Sequence, residues 1–352
     1  MGSKQWMIYG AYGYSGKLIV AEAVRTGMKP VLAGRSRQKL EALAGEWDLP
    51  YRAFSLDDGA AVGRELKGMA LVLHCAGPFS ATARPMMDGC LAAGAHYLDI
   101  TGEIDVFELG FSNHERAVEA GAVCCPGVGF DVIPTDCVAA SLKSALPDAT
   151  HLALGFDSRS SFSPGTAKTS VEGLAKGGRV RRNGRLETVP LAYGVRRIDF
   201  GDGEKTAVTI PWGDVSTAFH STGIPNIEVY IPSSPKMISR MKMLRYLRPF
   251  LGLGLVQGFL KGRIEKKVRG PSDQRRARAV THVWGEVRNE SGGKRTARIQ
   301  TANGYDVTAA GSVRIAKHLL ENEGQAGFMT PSKLMGAEFV ETLPGSGSIQ
   351  IQ

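Results

Sequence analysis

The sequence predicts an α/β protein: a doubly wound parallel sheet, joined to a second α/β domain whose sheet is mixed or antiparallel. Three observations carry this. Short apolar runs alternate with helical patterns about six times before residue 126, a glycine-rich turn follows the first run, and after Asp131 the alternation loosens into strands with polar positions. The 352 residues suit two domains, and 43% hydrophobic against 22% charged residues excludes a disordered or fibrous chain.

Taken in order, Gln5 to Tyr9 is a short apolar strand, and Gly16 to Thr26 carries Leu18, Ile19, Ala21, Ala23 and Val24 at helical spacing. Strands at Val31 to Ala33, Tyr51 to Phe54, Met69 to His74, Tyr97 to Ile100 and Ala122 to Cys125 follow. Helices at Arg37 to Ala44, Ala60 to Leu66, Pro85 to Ala93 and a last one reaching Ala120 connect them. Short apolar strands joined by crossover helices bury both faces of a parallel sheet. A helix from Asp136 to Ala145 leads on to strands at Leu152 to Asp157, Thr206 to Ile210, Ile227 to Ile231, Ala279 to Val287 and Arg295 to Gln300, with a polar loop at Ser158 to Ser170 and a helix at Thr169 to Ala175.

The first turn reads Gly10-Ala11-Tyr12-Gly13-Tyr14-Ser15-Gly16, after a strand and opening a helix, a variant of the Rossmann dinucleotide fingerprint. Gly10 permits the tight turn, Gly13 lets the backbone approach a pyrophosphate, and Gly16 lets helix and strand pack closely, while the helix N-terminus offers N–H groups to phosphate. At the end of the second strand, where an NAD site places an acid, the chain has Gly34-Arg35-Ser36-Arg37. Two guanidinium groups beside a hydroxyl suit a 2′-phosphate, so the expected cofactor is NADP. Asp57, in Leu56-Asp57-Asp58, either holds the adenine edge or caps the next helix. Cys75-Ala76-Gly77-Pro78 ends the fourth strand at the carboxyl edge, where open α/β sheets bind ligands. Tyr97, Asp99 and Glu103 lie on the same rim and are the expected proton source, with turn-fixing as their other reading.

These motifs, with Gly127-Val128-Gly129-Phe130-Asp131-Val132-Ile133-Pro134-Thr135-Asp136, resemble the saccharopine dehydrogenase-like oxidoreductases, in the branch that holds the trans-acting enoyl reductases. Gly165-Thr166-Ala167, Gly304-Tyr305-Asp306-Val307-Thr308-Ala309 and Thr330-Pro331-Ser332 extend the resemblance along the chain. It implies an NADP-binding domain over residues 1–130, a substrate or dimerisation domain over 131–302, and a helical return to the first domain over 303–352. The chain departs from the family's usual Ala-Thr at Ala11-Tyr12, and the amino-acid-binding residues of true saccharopine enzymes find no match in it. Hydride transfer to a C=C or C=N bond of a small or acyl-type substrate is the expected activity. The alternative is an NADP-binding or membrane-associated scaffold without turnover.

Thr166 and Lys168, in the polar loop, are candidate substrate contacts, with a helix cap and a solvated lysine as the other reading. None of the nine tyrosines has Lys four positions on, which excludes the Tyr-x-x-x-Lys pair of the short-chain dehydrogenases, and scattered histidines without a serine elbow or metal spacing give a hydrolase or metal site no support. Five cysteines without C-x-x-C spacing, and no apolar leader, predict a cytoplasmic protein.

The net charge of +9 has an address. Residues 236–269 hold ten of the 43 cationic residues and only one of the 34 acidic ones, so the rest of the chain carries 33 of each. Met237, Ile238, Met241, Leu244 and Leu247 recur there at helical spacing, before an apolar run from Phe250 to Leu260. Such a basic, apolar arm suits an anionic membrane surface or an acyl-carrying partner with an acidic face; its other reading is a stripe packed on its own domain or on a second copy in a homodimer. Few aromatic residues and no recognised motif make nucleic acid a poor candidate.

Overall fold

The computed structural model describes residues 4–158, 171, 173, 176–251, 253–267, 273–322 and 324–352. They form two compact units, Met1–Ile133 with Tyr305–Met335, and Pro134–Gly304 with Gly336–Gln352. Residues 336–352, expected with the helical return to the first domain, instead group with the second unit.

The first unit is a parallel sheet of β1 (Trp6–Tyr9), β2 (Val31–Gly34), β3 (Tyr51–Ala53), β4 (Leu71–His74), β5 (His96–Asp99), β6 (Val123–Cys125) and, late in the chain, β15 (Gly327–Phe328). Its order is β15-β6-β5-β4-β1-β2-β3. The strands are apolar on both faces because helices cover both: Ile8 in the central strand pairs with Leu32 on one side and Leu73 on the other, and all three are fully buried. Helices α1 (Tyr14–Arg25), α2 (Arg37–Trp47), α3 (Gly59–Leu66), α4 (Phe79–Ala93), α5 (Ile104–Ser112) and α6 (His114–Glu119) make the connections. Helices α3 and α4 lie so close that a Cβ at Gly89 would come within 2.5 Å of Val62.

Two helices differ from the sequence expectation. The fourth begins at Phe79, well before Pro85, because a distant carboxylate caps it, as described below. The single helix expected to reach Ala120 is divided at Asn113, whose side-chain amide donates to the Leu109 carbonyl at 2.9 Å and so competes with the helical ladder.

The second unit opens with α7 (Ile133–Ala145) and continues with β7 (His151–Ser158), β8 (Gly178–Arg182), β9 (Arg185–Val189), β10 (Val195–Asp199), β11 (Glu204–Thr209), α8 (Asp214–Thr222), β12 (Asn226–Pro232), α9 (Pro235–Leu251), α10 (Gly254–Lys267), α11 (Asp273–Arg278), β13 (Val280–Arg288), β14 (Lys294–Ala302) and β16 (Gln350–Ile351). The sheet runs β10-β11-β12-β7-β13-β14-β16, with β8 and β9 attached to β12. It is mixed, since β12 and β7 are parallel and the other pairs antiparallel. Helix α7 packs on one face, where a Cβ at Gly285 would lie 2.7 Å from both Val138 and Leu142. On the other face Ala153, Tyr230 and Trp284 meet Ile198 and Phe200. The pairing of β16 with β14 carries the end of the chain into this sheet.

Strands β8, β9 and β10 and helix α8 have no counterpart in the sequence expectation. Asn183 and Gly184, both at positive φ, close the β8–β9 hairpin, and this dipeptide is a strong turn signal. The strands beside it escape an apolar criterion because Arg179, Arg181, Arg182 and Arg185 occupy them. Arg181 is nonetheless buried, satisfied by the Val215 and Gly184 carbonyls at 2.8 Å and lying over the Phe219 ring. The polar loop beyond Ser158, including Thr166 and Lys168, and all of the helix expected at Thr169 to Ala175 except Val171 and Gly173, lie outside the described residues. Among the described residues no helix is long and apolar enough to cross a membrane.

Candidate functional site

The glycine turn between β1 and α1 is shaped by what its backbone must approach. Gly10 has φ +85°, and a Cβ there would stand 2.8 Å from the Ala76 nitrogen and 2.9 Å from the Cys75 carbonyl carbon. At Gly16 a Cβ would come 2.3 Å from the Gly10 carbonyl oxygen, so no side chain fits where the helix starts against the turn. Gly13 is the N-cap of α1 and offers no capping side chain, and the first turn holds no acid. That leaves the helix end open to an anion, which the N–H groups and the helix dipole favour. These features fit a dinucleotide pyrophosphate.

Tyr12 ties this turn to the end of β2. Its ring fills the space beside Gly34, where a Cβ would lie 2.7 Å from the ring edge, and its hydroxyl accepts the Ser36 N–H at 3.3 Å. The Lys39 ammonium stands 5.6 Å from the ring centroid. The departure from the family's Thr at this position therefore adds a brace, with no intrusion on the turn. Arg35 and Arg37 are both exposed, but differently engaged: Arg37 reaches Glu41 at 3.9 Å, whereas Arg35 makes no ion pair among the described residues. Asp57 accepts a hydrogen bond from Ser55 at 2.8 Å, and the cap of α3 is its neighbour Asp58, which accepts from the Ala61 N–H at 3.0 Å.

The segment Cys75-Ala76-Gly77-Pro78 is held from below. The Cys75 N–H donates to the Tyr9 carbonyl, and the Thr82 hydroxyl donates to the Ala76 carbonyl at 2.7 Å while sharing a 3.0 Å contact with His74 Nε2. His74 is fully buried among Tyr9, Phe79 and Tyr97, and desolvation pushes its pKa down to about 3, so the ring is neutral. Burial also pushes the Cys75 thiol far up, which removes it as a nucleophile.

The three residues expected to supply a proton are each engaged in holding the rim of the sheet. Tyr97 is fully buried, and its hydroxyl donates to Asp99 Oδ2 at 2.6 Å. The other Asp99 oxygen accepts the Thr101 N–H at 3.0 Å and the Gly127 N–H at 2.8 Å, binding the end of β5 to the loop after β6. Glu103 accepts the Phe79 and Ser80 N–H groups at 3.0 and 2.8 Å and so caps α4 from a distance. Desolvation holds the Tyr97 phenol well above its ordinary range, and it raises Asp99 to about 6 against the hydrogen bonds that lower it. Tyr97 is closed off from solvent and bonded to Asp99, and Glu103 is occupied at both oxygens, so all three hold the rim together.

One carboxylate on this rim carries no role in the sequence reading. Asp131 follows β6, is half-buried, and lies so close to Gly102 that a Cβ there would be 2.8 Å from its Oδ2. Desolvation raises its carboxyl to about 7. Its signal in the sequence is position alone, an acid in the loop after a parallel strand, where such folds place ligands.

Residues 6–125 match the saccharopine dehydrogenase NADP binding domain family. Over these residues the chain is similar to an NADP-binding domain, and the resemblance carried by the motifs holds there. A mitochondrial saccharopine dehydrogenase-like oxidoreductase of Arabidopsis thaliana is 30% identical over 195 residues, 48% of this chain and 42% of that protein. The human saccharopine dehydrogenase-like oxidoreductase is 29% identical over 150 residues, 37% of this chain and 35% of its own length. A Mycobacterium tuberculosis protein named as a trans-acting enoyl reductase is 30% identical over 193 residues, covering 48% and 44%. Each match spans less than half of the relative. Among solved structures, the apo saccharopine dehydrogenase (L-Glu forming) of Saccharomyces cerevisiae aligns over 99% of both chains with a TM-score of 0.67 at 11% identity, which shows a shared fold.

Proposed function

Proceeding from this likeness to an NADP-binding domain of an oxidoreductase family, we propose that the protein is an NADPH-dependent reductase of a C=C or C=N bond in a small or acyl-type substrate, acting in the cytoplasm. The observation that carries the reading is Arg35, exposed just beyond β2 without a carboxylate partner, beside a turn no side chain could enter. An unneutralised guanidinium there suits the 2′-phosphate of NADPH. The bound nicotinamide would supply the hydride. The protein's own part is to hold it: the Gly10–Gly16 turn cradles the pyrophosphate, Tyr12 braces the turn against Ser36, and Glu103 and Thr82 fix the segment after β4. Delivery to an imine needs no further acid, whereas delivery to a conjugated double bond needs a proton source. Asp131 is our candidate, because a carboxyl raised to about 7 stays partly protonated near neutral pH. Free thiols at all five cysteines accord with a reducing compartment. The names of the relatives support both bond types and choose neither.

The test is NADPH consumption with a panel of enoyl thioesters, imines and ketones. Turnover with one class supports the reading, and tight NADPH binding without turnover on any supports a non-catalytic NADP-binding protein instead. Arg35→Asp is expected to weaken NADPH about 100-fold, roughly 3 kcal/mol, while changing NADH about threefold or less. Equal losses for both cofactors would remove the 2′-phosphate assignment.

A further inference from the structure

The basic arm seen in the sequence becomes two helices, α9 and α10; the first is anchored at its root, and the second is tied where Gln257 Nε2 donates to the Val171 carbonyl at 3.2 Å. Ile238 is buried against Ala192 and Val208, with Met241 and Ile231 beside it. Around the helix from this anchored side, Met243 is 62% exposed and Tyr246 70%. Leu253 follows at 53%, and α10 then presents Leu255 at 91% and Phe259 at 64%. Leu255, Phe259 and Arg263 recur at four-residue spacing and so share one helical face, with the Arg263 guanidinium 5.8 Å from the Phe259 ring centroid. Lys236, Arg240, Lys242 and Arg263 are exposed, and none makes an ion pair among the described residues. Large apolar side chains standing in water are costly, and unneutralised cations around them are the other half of an interfacial pattern.

We propose that α9 and α10 dock the protein on an anionic lipid bilayer, with Leu255 and Phe259 entering the boundary between headgroups and acyl chains and the surrounding lysines and arginines meeting lipid phosphates. The charge decides the occupant. A second copy would bring the same excess of cations against this one, whereas an anionic leaflet supplies the missing counter-charge together with an apolar layer for isolated protruding side chains. This inference stands apart from the cofactor reading, since none of its residues belongs to the NADP-binding domain.

The experiment is flotation of the full chain with vesicles of phosphatidylcholine alone and of phosphatidylcholine with phosphatidylserine, at low and at high salt. The Leu255→Ser/Phe259→Ser double variant runs beside it, with NADPH affinity as the control for folding. We expect the wild-type chain to float only with the anionic vesicles, to lose part of that binding in high salt, and to bind about tenfold or more weakly in the double variant with NADPH affinity unchanged. Absence of flotation at low salt, or equal flotation of wild type and double variant, overturns the proposal. So does a dimer in light scattering that the double variant abolishes, or binding to soluble polyglutamate without binding to vesicles.

Discussion

Glu286 in the second unit and Asp99 in the first are carboxylates buried in opposite ways. In the second, Glu286 is 4% exposed and lies in the grip of three cations, Arg196 at 2.9 Å, Arg288 at 2.7 Å and Lys294 at 2.9 Å. Burial works to raise its pKa, but the hydrogen bonds from Arg196 and Lys294 outweigh it and leave the carboxyl below its ordinary range. In the first, Asp99 has only N–H and O–H donors, and desolvation outweighs them; Asp131 is raised further still. A buried acid with cations stabilises the fold as an anion, and a carboxyl whose desolvation outweighs its donors would be more at ease protonated. The first unit accepts that cost on the rim where a ligand would sit.

The comparison can be broken by experiment. The largest effect is expected from Glu286→Gln, which strands three cations around a neutral amide. It should lower the stability of the second unit by about 2–3 kcal/mol, read as faster segment-resolved hydrogen exchange, and leave NADPH affinity alone. Next is the response to pH. The Glu286 contribution is present above the ordinary carboxylate range and is lost as pH falls through its lowered native value. The Asp99 and Asp131 contributions have the other sign, complete below about pH 4 and lost as pH rises through about 6 and 7. The first unit should therefore be less protected at pH 8 than at pH 5, with exchange normalised to the intrinsic amide rate at each pH. Asp131→Asn should remove much of that slope and stabilise the unit at pH 8 by about 1–3 kcal/mol while impairing any turnover that needs its proton. An unchanged slope in Asp131→Asn would place the buried charge elsewhere. The smallest effect belongs to Tyr97→Phe, which deprives Asp99 of one donor and should cost about 1–2 kcal/mol of stability without slowing a single turnover. A slowed single turnover with intact stability would return Tyr97 to the chemistry.

The first unit was readable because its physics is local: apolar strands, helical spacing and glycines at a turn state their purpose within a few residues. Arg35 stands out for the same reason, beside an acid missing from a position that bears on cofactor preference. The roles of Glu103 and Asp99 were not, because they bind Phe79, Ser80 and Gly127, positions whose nearness exists only after the sheet has formed. The second unit was harder because its strands carry arginines that the fold neutralises across the sheet, as Arg196 is by Glu286, ninety residues away in sequence. The Asn183-Gly184 turn was the one local clue to the hairpin there, and alternating charge hid its flanks.

The concentration of excess cations in residues 236–269 has a consequence for motion in solution. A particle whose remaining residues balance in charge, with nine positive charges gathered on one segment, experiences torque as well as attraction in the field of a negative surface. At physiological ionic strength that field reaches about 8 Å, so the turning happens in the last moments of approach. The chain would arrive arm first, its orientation chosen by long-range forces before any side chain makes contact.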